Sequence, residues 1–543
     1  MKRTVAVVMV LLVVSGQRGT AQSSIDPILD TLQHTAFNFF WNEANPANGL
    51  IRDRAPVVGT SPSTIPCSIA SVGFGLSAVC IGVDHGWVTR SSAADRVLTT
   101  LKTFWYGPQG SGDAYIGNYG LFYHFLDMTT AKRAWSSELS TIDSGLLLAG
   151  IIDAQEYFDG SNAGETSIRA YADSIYRRMN WDLMRNFHEG ILLGWMPGTG
   201  FLNYGEWTGY CEAMIMYILA MGSPTYPVDS LGWVKWVQGY QWQNQYGYQY
   251  VVFPPLFGHQ YSHCWVDFRG IRDGFMRGHG IDYFENSRRA TLAQQAYCVA
   301  NPGGFAGYSD SLWGITACDD PDVGYLAHGA PPAQNDNGTL APTAPIGSIP
   351  FAPDAVIPFI RNLYTNYQAQ MWTRYGFRDC FNPSKNWWDT DVIGIDEGPI
   401  IMMIENYRTG RVWDRFMKSP YVQQGLHVAG FLATTSSPVQ LPSHPTTFDL
   451  FQNYPNPFNP TTTIQCMVGG VVATGGAGGP VLAHVRLVVY DLLGREVATV
   501  ADGRYAAGRY SFTFNGSDLA SGVYFYRLTA GSYVETKRMI LMK

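Results

Sequence analysis

Ser140-Thr141-Ile142-Asp143-Ser144-Gly145-Leu146-Leu147-Leu148 reads as the opening of a buried helix. Ser140 through Asp143 is an S-x-x-D start, in which a hydroxyl caps the first turn and an acid follows three residues on. Leu146, Leu147, Ile151 and Ile152 then recur at helical spacing. The same period appears at Leu32, Ala36, Phe39 and Phe40, and again at Met214, Ile218 and Met221. Between such runs lie long loops rich in Gly, Pro and aromatic residues, such as Gly194 to Tyr210 and Gly324 to Pro350. Helices alternating with long aromatic loops predict a helical toroid whose loops build a cleft at one end.

The chain has 543 residues, enough for more than one core. Hydrophobic residues make up 46% and charged residues 15%, a globular profile. The net charge is −7 and no basic tract occurs, which disfavours nucleic acid as a partner. Lys2 and Arg3, the apolar run Val5 to Val14, and Gly19-Thr20-Ala21 predict an export signal over residues 1–21. The helical domain is expected over 22–434. Residues 435–447, rich in Ser, Thr and Pro, read as a linker. From 448 to 543 the period changes to two. Val485, Leu487 and Val489 alternate, as do Val523, Phe525 and then Tyr526-Arg527-Leu528, with a slip between them. This predicts a small C-terminal antiparallel β-sandwich. Eight cysteines at irregular spacing lack any C-x-x-C pair, so buried thiols with at most one or two bridges are expected, and no structural zinc site.

Three words in that last region carry a resemblance. They are Phe451-Gln452-Asn453-Tyr454-Pro455-Asn456-Pro457-Phe458-Asn459-Pro460, Val489-Tyr490-Asp491-Leu492-Leu493-Gly494-Arg495-Glu496-Val497 and Leu519-Ala520-Ser521-Gly522-Val523-Tyr524. In that order they resemble the C-terminal sorting domain of type IX secretion cargo. The resemblance implies passage through the periplasm and outer membrane by that machinery, to the cell surface or medium. The Gly-rich insert Val468 to Pro480 is a departure that lengthens a hairpin.

Aromatic residues reach 14%, with 16 Trp and 32 Tyr, and flat rings with polar edges suit sugar faces as well as cores. Glycoside hydrolysis needs two carboxyl groups, one of them an acid whose pKa is raised by apolar surroundings. Three stretches embed acids in such text. The first holds Glu138 and Asp143, where capping and cleft roles are both open for Asp143. The second is Trp207-Thr208-Gly209-Tyr210-Cys211-Glu212-Ala213-Met214, where Glu212 stands as the acid, with Trp195, Tyr204, Trp207 and Tyr210 as a sugar platform. The third is Trp387-Trp388-Asp389-Thr390-Asp391-Val392-Ile393-Gly394-Ile395-Asp396-Glu397, where Asp396 either caps a helix or faces a cleft. Trp387, Trp388, Asp391 and Glu397 are its binding candidates. His259 and His263 share metal-ligand spacing without the glutamate of H-E-x-x-H, and they read as polar cleft walls together with Arg269. No G-x-S-x-G elbow, P-loop or dinucleotide fingerprint occurs in a fitting context.

From Ile25 to Phe431 the words resemble the bacterial glycoamylase-like domain, and most nearly glycoside hydrolase family 144, the endo-β-1,2-glucanases. The carrying words are Cys67 to Gly75, Gly120-Leu121-Phe122-Tyr123-His124-Phe125-Leu126-Asp127, Ser137 to Asp143, Gly209 to Ile215, His259 to Arg272, Tyr283 to Arg288 and Gly394-Ile395-Asp396-Glu397-Gly398-Pro399. The resemblance implies an (α/α)6 barrel acting as a monomer on β-1,2-glucan, with inversion and without an organic cofactor or metal. It makes Glu212 the acid and leaves the base among Glu138, Asp143 and Asp396. Cys211 where Asn is expected, and Glu397 where Gln is commoner, are departures that bear on neighbouring pKa values. Exo-acting release of sophorose, transglycosylation and α-glucan hydrolysis remain alternatives within the fold. A surface glycan-binding protein without catalysis is the alternative outside it, though all three acid clusters survive.

Overall fold

The computed structural model describes residues 27–201, 205–333, 335–434, 448–453, 455–468, 483–505, 508–531 and 533–543. The predicted export signal and linker lie outside the described residues, as does most of the Gly-rich insert. The chain divides into two compact units after Thr434.

The first unit is built of helices in two rings. The inner helices are apolar on every side, because they touch neighbours on every side. In Ile69–Asp84 all but the last two residues are buried, and in Met214–Gly222 every residue is. Thr141–Tyr157 and Gly394–Arg408 are buried along most of their length. Ile69–Asp84 packs between Thr141–Tyr157 and Gly394–Arg408. Met214–Gly222 and the short Tyr261–Trp265 continue the ring, and Thr343–Ile346 packs on Gly394–Arg408. Outer helices such as Arg90–Tyr106 and Ala163–Arg178 bury a single stripe and leave the rest to solvent. This is the (α/α)6 barrel.

The tightest crossing in the ring needs glycine. A Cβ on Gly150 would stand 1.9 Å from the carbonyl oxygen of Gly73, and one on Gly73 would stand 2.3 Å from that of Leu146. Backbone meets backbone there, so any side chain would force the two helices apart.

One ion pair clamps the barrel wall. Arg415 donates from Nε and Nη2 to the fully buried carboxylate of Asp153, at 2.6 and 2.8 Å. Its guanidinium also lies 5.0 Å from the centre of the Tyr157 ring. Replacing Arg415 with Ala leaves a buried carboxylate without its partner. A loss of about 3–5 kcal/mol in denaturant unfolding is expected, with much of it regained when Asp153→Leu is added.

The second unit has two antiparallel sheets. Thr461–Val468 pairs with Asp449–Leu450 on one side and Gly508–Asn515 on the other. The other sheet runs Glu496–Tyr505, Ala483–Tyr490, Gly522–Ala530, Tyr533–Leu541. Val485, Leu487 and Val489 point into the shared core with Ile464, Phe514 and Leu541. In Gly522–Ala530 the inward set is Tyr524, Tyr526, Leu528 and Ala530, in unbroken alternation. The slip expected after Phe525 is absent, because Val523 and Phe525 face the other way. No helix among the described residues is long and apolar enough to cross a membrane.

Candidate active site

The acids singled out in the sequence stand at the N-terminal ends of inner helices. There the unpaired N–H groups and the helix dipole favour negative charge. Leu139-Ser140 is held as a short strand against Gly194–Met196 and bridged to Tyr123, which sets Glu138 at the start of the Thr141–Tyr157 helix. Ser140 Oγ accepts the N–H of Asp143 at 3.2 Å and donates to Asp143 Oδ2 at 2.5 Å. Asp143 therefore belongs to the cap and still presents its carboxylate to a neighbour.

That neighbour is His124. Its Nδ1 stands 2.9 Å from Glu138 Oε1 and its Nε2 3.5 Å from Asp143 Oδ2. Burial disfavours an imidazolium, but the two carboxylates outweigh it and push the His124 pKa up to about 9. Glu138 is correspondingly held below its usual range. Burial works against this, and the His124 hydrogen bond and charge prevail. The three groups are close enough to hold a metal ion, but as they stand they satisfy one another as an ion triad.

Glu212 lies just before Met214–Gly222 and is partly buried, with Oε2 shut from solvent and without a hydrogen-bond partner among the described residues. Ser262 Oγ takes the N–H of Ile215 and donates to the carbonyl of Glu212, fastening this turn to the next inner helix. Burial, with the charge of Asp143 added, pushes the Glu212 pKa up to about 7.

Asp396 sits in the first turn of Gly394–Arg408 and is buried, with no hydrogen-bond partner for either oxygen among the described residues. Gly394 N–H donates to the carbonyl of Asp53, and Arg54–Pro56 pairs with Asp391–Ile393. Arg54 reaches Asp319 at 2.7 Å, Asp53 at 3.0 Å and Asp391 at 3.5 Å. Asp379 and Asp389 complete a buried acidic group around this one guanidinium. Burial and the Asp396 charge drive the Asp379 pKa well up. Burial also raises Asp396, to about 7, with Asp379 drawing it partly back down. Of the two, Asp379 is the one driven further up and Asp396 the first to ionise.

The two halves share one electrostatic field. Asp53 acts on both His124 and Asp396, and Tyr261 feels both Asp396 and Glu212. Tyr325 joins them from the Gly324–Ala327 strand, where Asp396 and Asp379 act on its hydroxyl.

The remaining candidates divide. Trp195 is paired with Leu139 beside Glu138, its ring edge-on to Tyr119. Trp207 donates to Thr141 Oγ1 at 3.0 Å, and with Tyr210, Cys211, Phe253 and Pro254 it lines a cleft of about 560 Å³. Tyr204 lies outside the described residues. Asp391 is held by Arg54, and Glu397 is buried beside Asp396 with its pKa driven up by burial and by that charge. Trp388 stacks on Phe381, and Trp387 packs on a small core of Cys318, Ala341 and Cys380.

Two expectations are corrected. His263 is wholly buried, its Nε2 3.1 Å from Ser287 Oγ and its ring among Phe268, Phe284 and Phe351. His259 is equally buried, against Tyr210, and burial depresses its pKa to about 3. Both are core residues: His259 ends the buried 3-10 turn Leu256–His259, and His263 lies on the inner helix Tyr261–Trp265, which has no free face. Arg269 is spent on Asp267, with two hydrogen bonds, and lies over Trp413 at 4.3 Å, away from the carboxylates in its contacts. Conversely, His124 and Tyr261 lie in family-like words that gave them no role, and Asp53, Arg54, Asp379 and Tyr325 stand in text without periodicity or repeated acids. Asp319 does carry a signal, the acid run Asp319-Asp320-Pro321-Asp322.

Comparison with known proteins shows the family. Residues 204–420 match a family model described as "Putative glucoamylase", and residues 452–542 match the secretion system C-terminal sorting domain. The chain is 32% identical to a solved "putative glucoamylase" from Bacteroides uniformis, over 75% of this chain and 97% of that one, with a TM-score of 0.69. It is 28% identical to an endo-β-1,2-glucanase from Chitinophaga pinensis solved with sophorotriose and glucose, over 75% and 98%, with a TM-score of 0.70. It is 30% identical over 433 residues to an exo β-1,2-glucooligosaccharide sophorohydrolase of Parabacteroides distasonis. That match covers 74% of this chain and spans 57% of the relative's length.

Proposed function

Because the chain belongs to the glycoamylase-like family of glycoside hydrolases and carries a type IX secretion sorting domain, we propose that it hydrolyses β-1,2-linked glucan at the cell surface or in the medium. Glu212 carries the reading. It is an acid with a buried oxygen unpartnered among the described residues and a pKa near neutrality, in the field of Asp143, and the charge of Tyr261 is opposed by both Glu212 and Asp396. Such a group keeps a proton at working pH and has nothing in the protein to give it to.

Glu212 donates that proton to the leaving glycosidic oxygen. Asp396, whose pKa burial raises to about 7 and which loses its proton before its neighbour Asp379, takes a proton from water in its ionised form as the water attacks the anomeric carbon. This single displacement inverts the configuration. The His124 triad is committed to its own ion pairs, which suits Glu138 and Asp143 to holding sugar hydroxyls and the local field. Trp195, Trp207 and Tyr210 flank Glu138 and Glu212 as faces for sugar rings. The export signal and sorting domain support a route through the periplasm and across the outer membrane.

The test is product analysis of the purified protein on linear β-1,2-glucan, with starch and β-1,3-glucan as controls. A ladder of short β-1,2 oligosaccharides, with the α-anomer appearing first by proton NMR, is the expected result. Sophorose alone establishes exo action, the reading favoured by the sophorohydrolase relative. No product from β-1,2-glucan overturns the proposal.

A further inference from the structure

All eight cysteines are buried thiols in this structure, but two are not isolated. Cys318 lies in the strand Ala317–Asp320 and Cys380 immediately precedes Phe381–Asn382. Their sulfurs and a carboxylate oxygen of Asp379 lie within 4.8 Å of one another. The two segments are already tied side by side. Asp319 N–H donates to Asp379 Oδ2 at 3.2 Å, and Cys380 Sγ–H donates to the carbonyl of Asp319 at 2.9 Å. Cys318 and Cys380, with Ala341, form a small core under Trp387, separate from the main one.

From this placement we infer that Cys318 and Cys380 are joined by a disulfide in the exported protein. The inference rests on the exported reading above. Closing the sulfurs to the ~2 Å of a bond takes side-chain rotation and a local shift between two segments already hydrogen-bonded to each other. An oxidising compartment supplies the chemistry. The thiolate of one cysteine attacks the disulfide of a thiol–disulfide oxidoreductase, giving a mixed disulfide. The other thiolate then displaces the enzyme's sulfur. Two thiols lose two protons and two electrons, and the oxidoreductase leaves as a dithiol.

The consequence is positional. Each cysteine adjoins an acid of the catalytic cluster, Asp319 after Cys318 and Asp379 before Cys380. The bond fastens both to one cross-link beneath Asp396 and Arg54. Burial in acidic surroundings raises both thiols, so the folded dithiol is a poor nucleophile and the bond forms before the site closes.

The test compares full-length chain directed to an oxidising periplasm with chain made in a reducing cytoplasm. Each is alkylated in denaturant and mapped by mass spectrometry, a readout independent of any substrate. The periplasmic protein is expected to show a Cys318–Cys380 peptide two hydrogens lighter than the dithiol, with the other six cysteines alkylated. Its thermal midpoint should fall in reductant, whereas that of C318S/C380S should not move. Full alkylation of both cysteines in active periplasmic protein overturns the inference. So does one equivalent of zinc bound with both thiols free, which would make the cluster a metal site.

Discussion

Glu212→Gln lowers kcat by about 10³-fold on β-1,2-glucan while leaving KM and the circular dichroism spectrum close to wild type. Gln has the shape and charge of the protonated acid but no proton of comparable acidity to give. The pH dependence follows from the same group. Wild-type activity falls as pH rises through about 7, where Glu212 loses its proton, and falls also below about 7, where Asp396 gains one. Stability moves with it. Between the usual 4.5 and about 7 the folded protein holds a proton that the unfolded chain releases, so this contribution is present at low pH and lost as pH rises. The full shift corresponds to at most ~3 kcal/mol. The variant should therefore show a flatter stability profile and exceed wild type at pH 8. A variant that keeps wild-type kcat removes Glu212 from the acid's role.

Asp396→Asn is expected to cost a comparable ~10³-fold in kcat, for the complementary reason. The amide can still hold a water molecule but cannot take its proton. Stability should not suffer, since the change removes one buried charge from a group of acids whose ion pairs among the described residues run to Arg54. Azide distinguishes a lost base from a distorted site, because it attacks carbon without being deprotonated. Added azide should restore turnover of Asp396→Asn on an activated β-glucoside and yield the α-glucosyl azide. It should not rescue Glu212→Gln on the natural glucan, where protonation of the leaving group is missing. Turnover of Asp396→Asn that does not respond to azide would move the base to Asp143.

Much of this site was legible one word at a time. Apolar text surrounds Glu212, and that same burial raises its pKa. The S-x-x-D start at Ser140 was read both as a cap and as a cleft position, and the structure has Asp143 bonded to the capping hydroxyl and next to His124 at once. The histidine spacing misled for a definite reason. Positions four apart share a face only when one helix carries both, and here His259 ends a separate 3-10 turn; nor does spacing say whether a face looks into a cleft or into a core. Tyr261–Trp265 is an inner helix, so His263 met phenylalanine rings instead of solvent.

By itself, the order of residues determined which segments are helices, which of those are apolar on all sides, and where a two-residue period replaces a helical one. Those are local matters, governed by how side chains alternate around one backbone. It also placed an acid near the start of each of three inner helices. Only the tertiary structure decided that these acids face one another, with His124 between Glu138 and Asp143 and with Arg54 among Asp53, Asp319 and Asp391. Closing a ring of helices brings their N-terminal ends together from positions hundreds of residues apart. A carboxylate's pKa is set by the charges and the missing water around it there, and no stretch of sequence contains that environment.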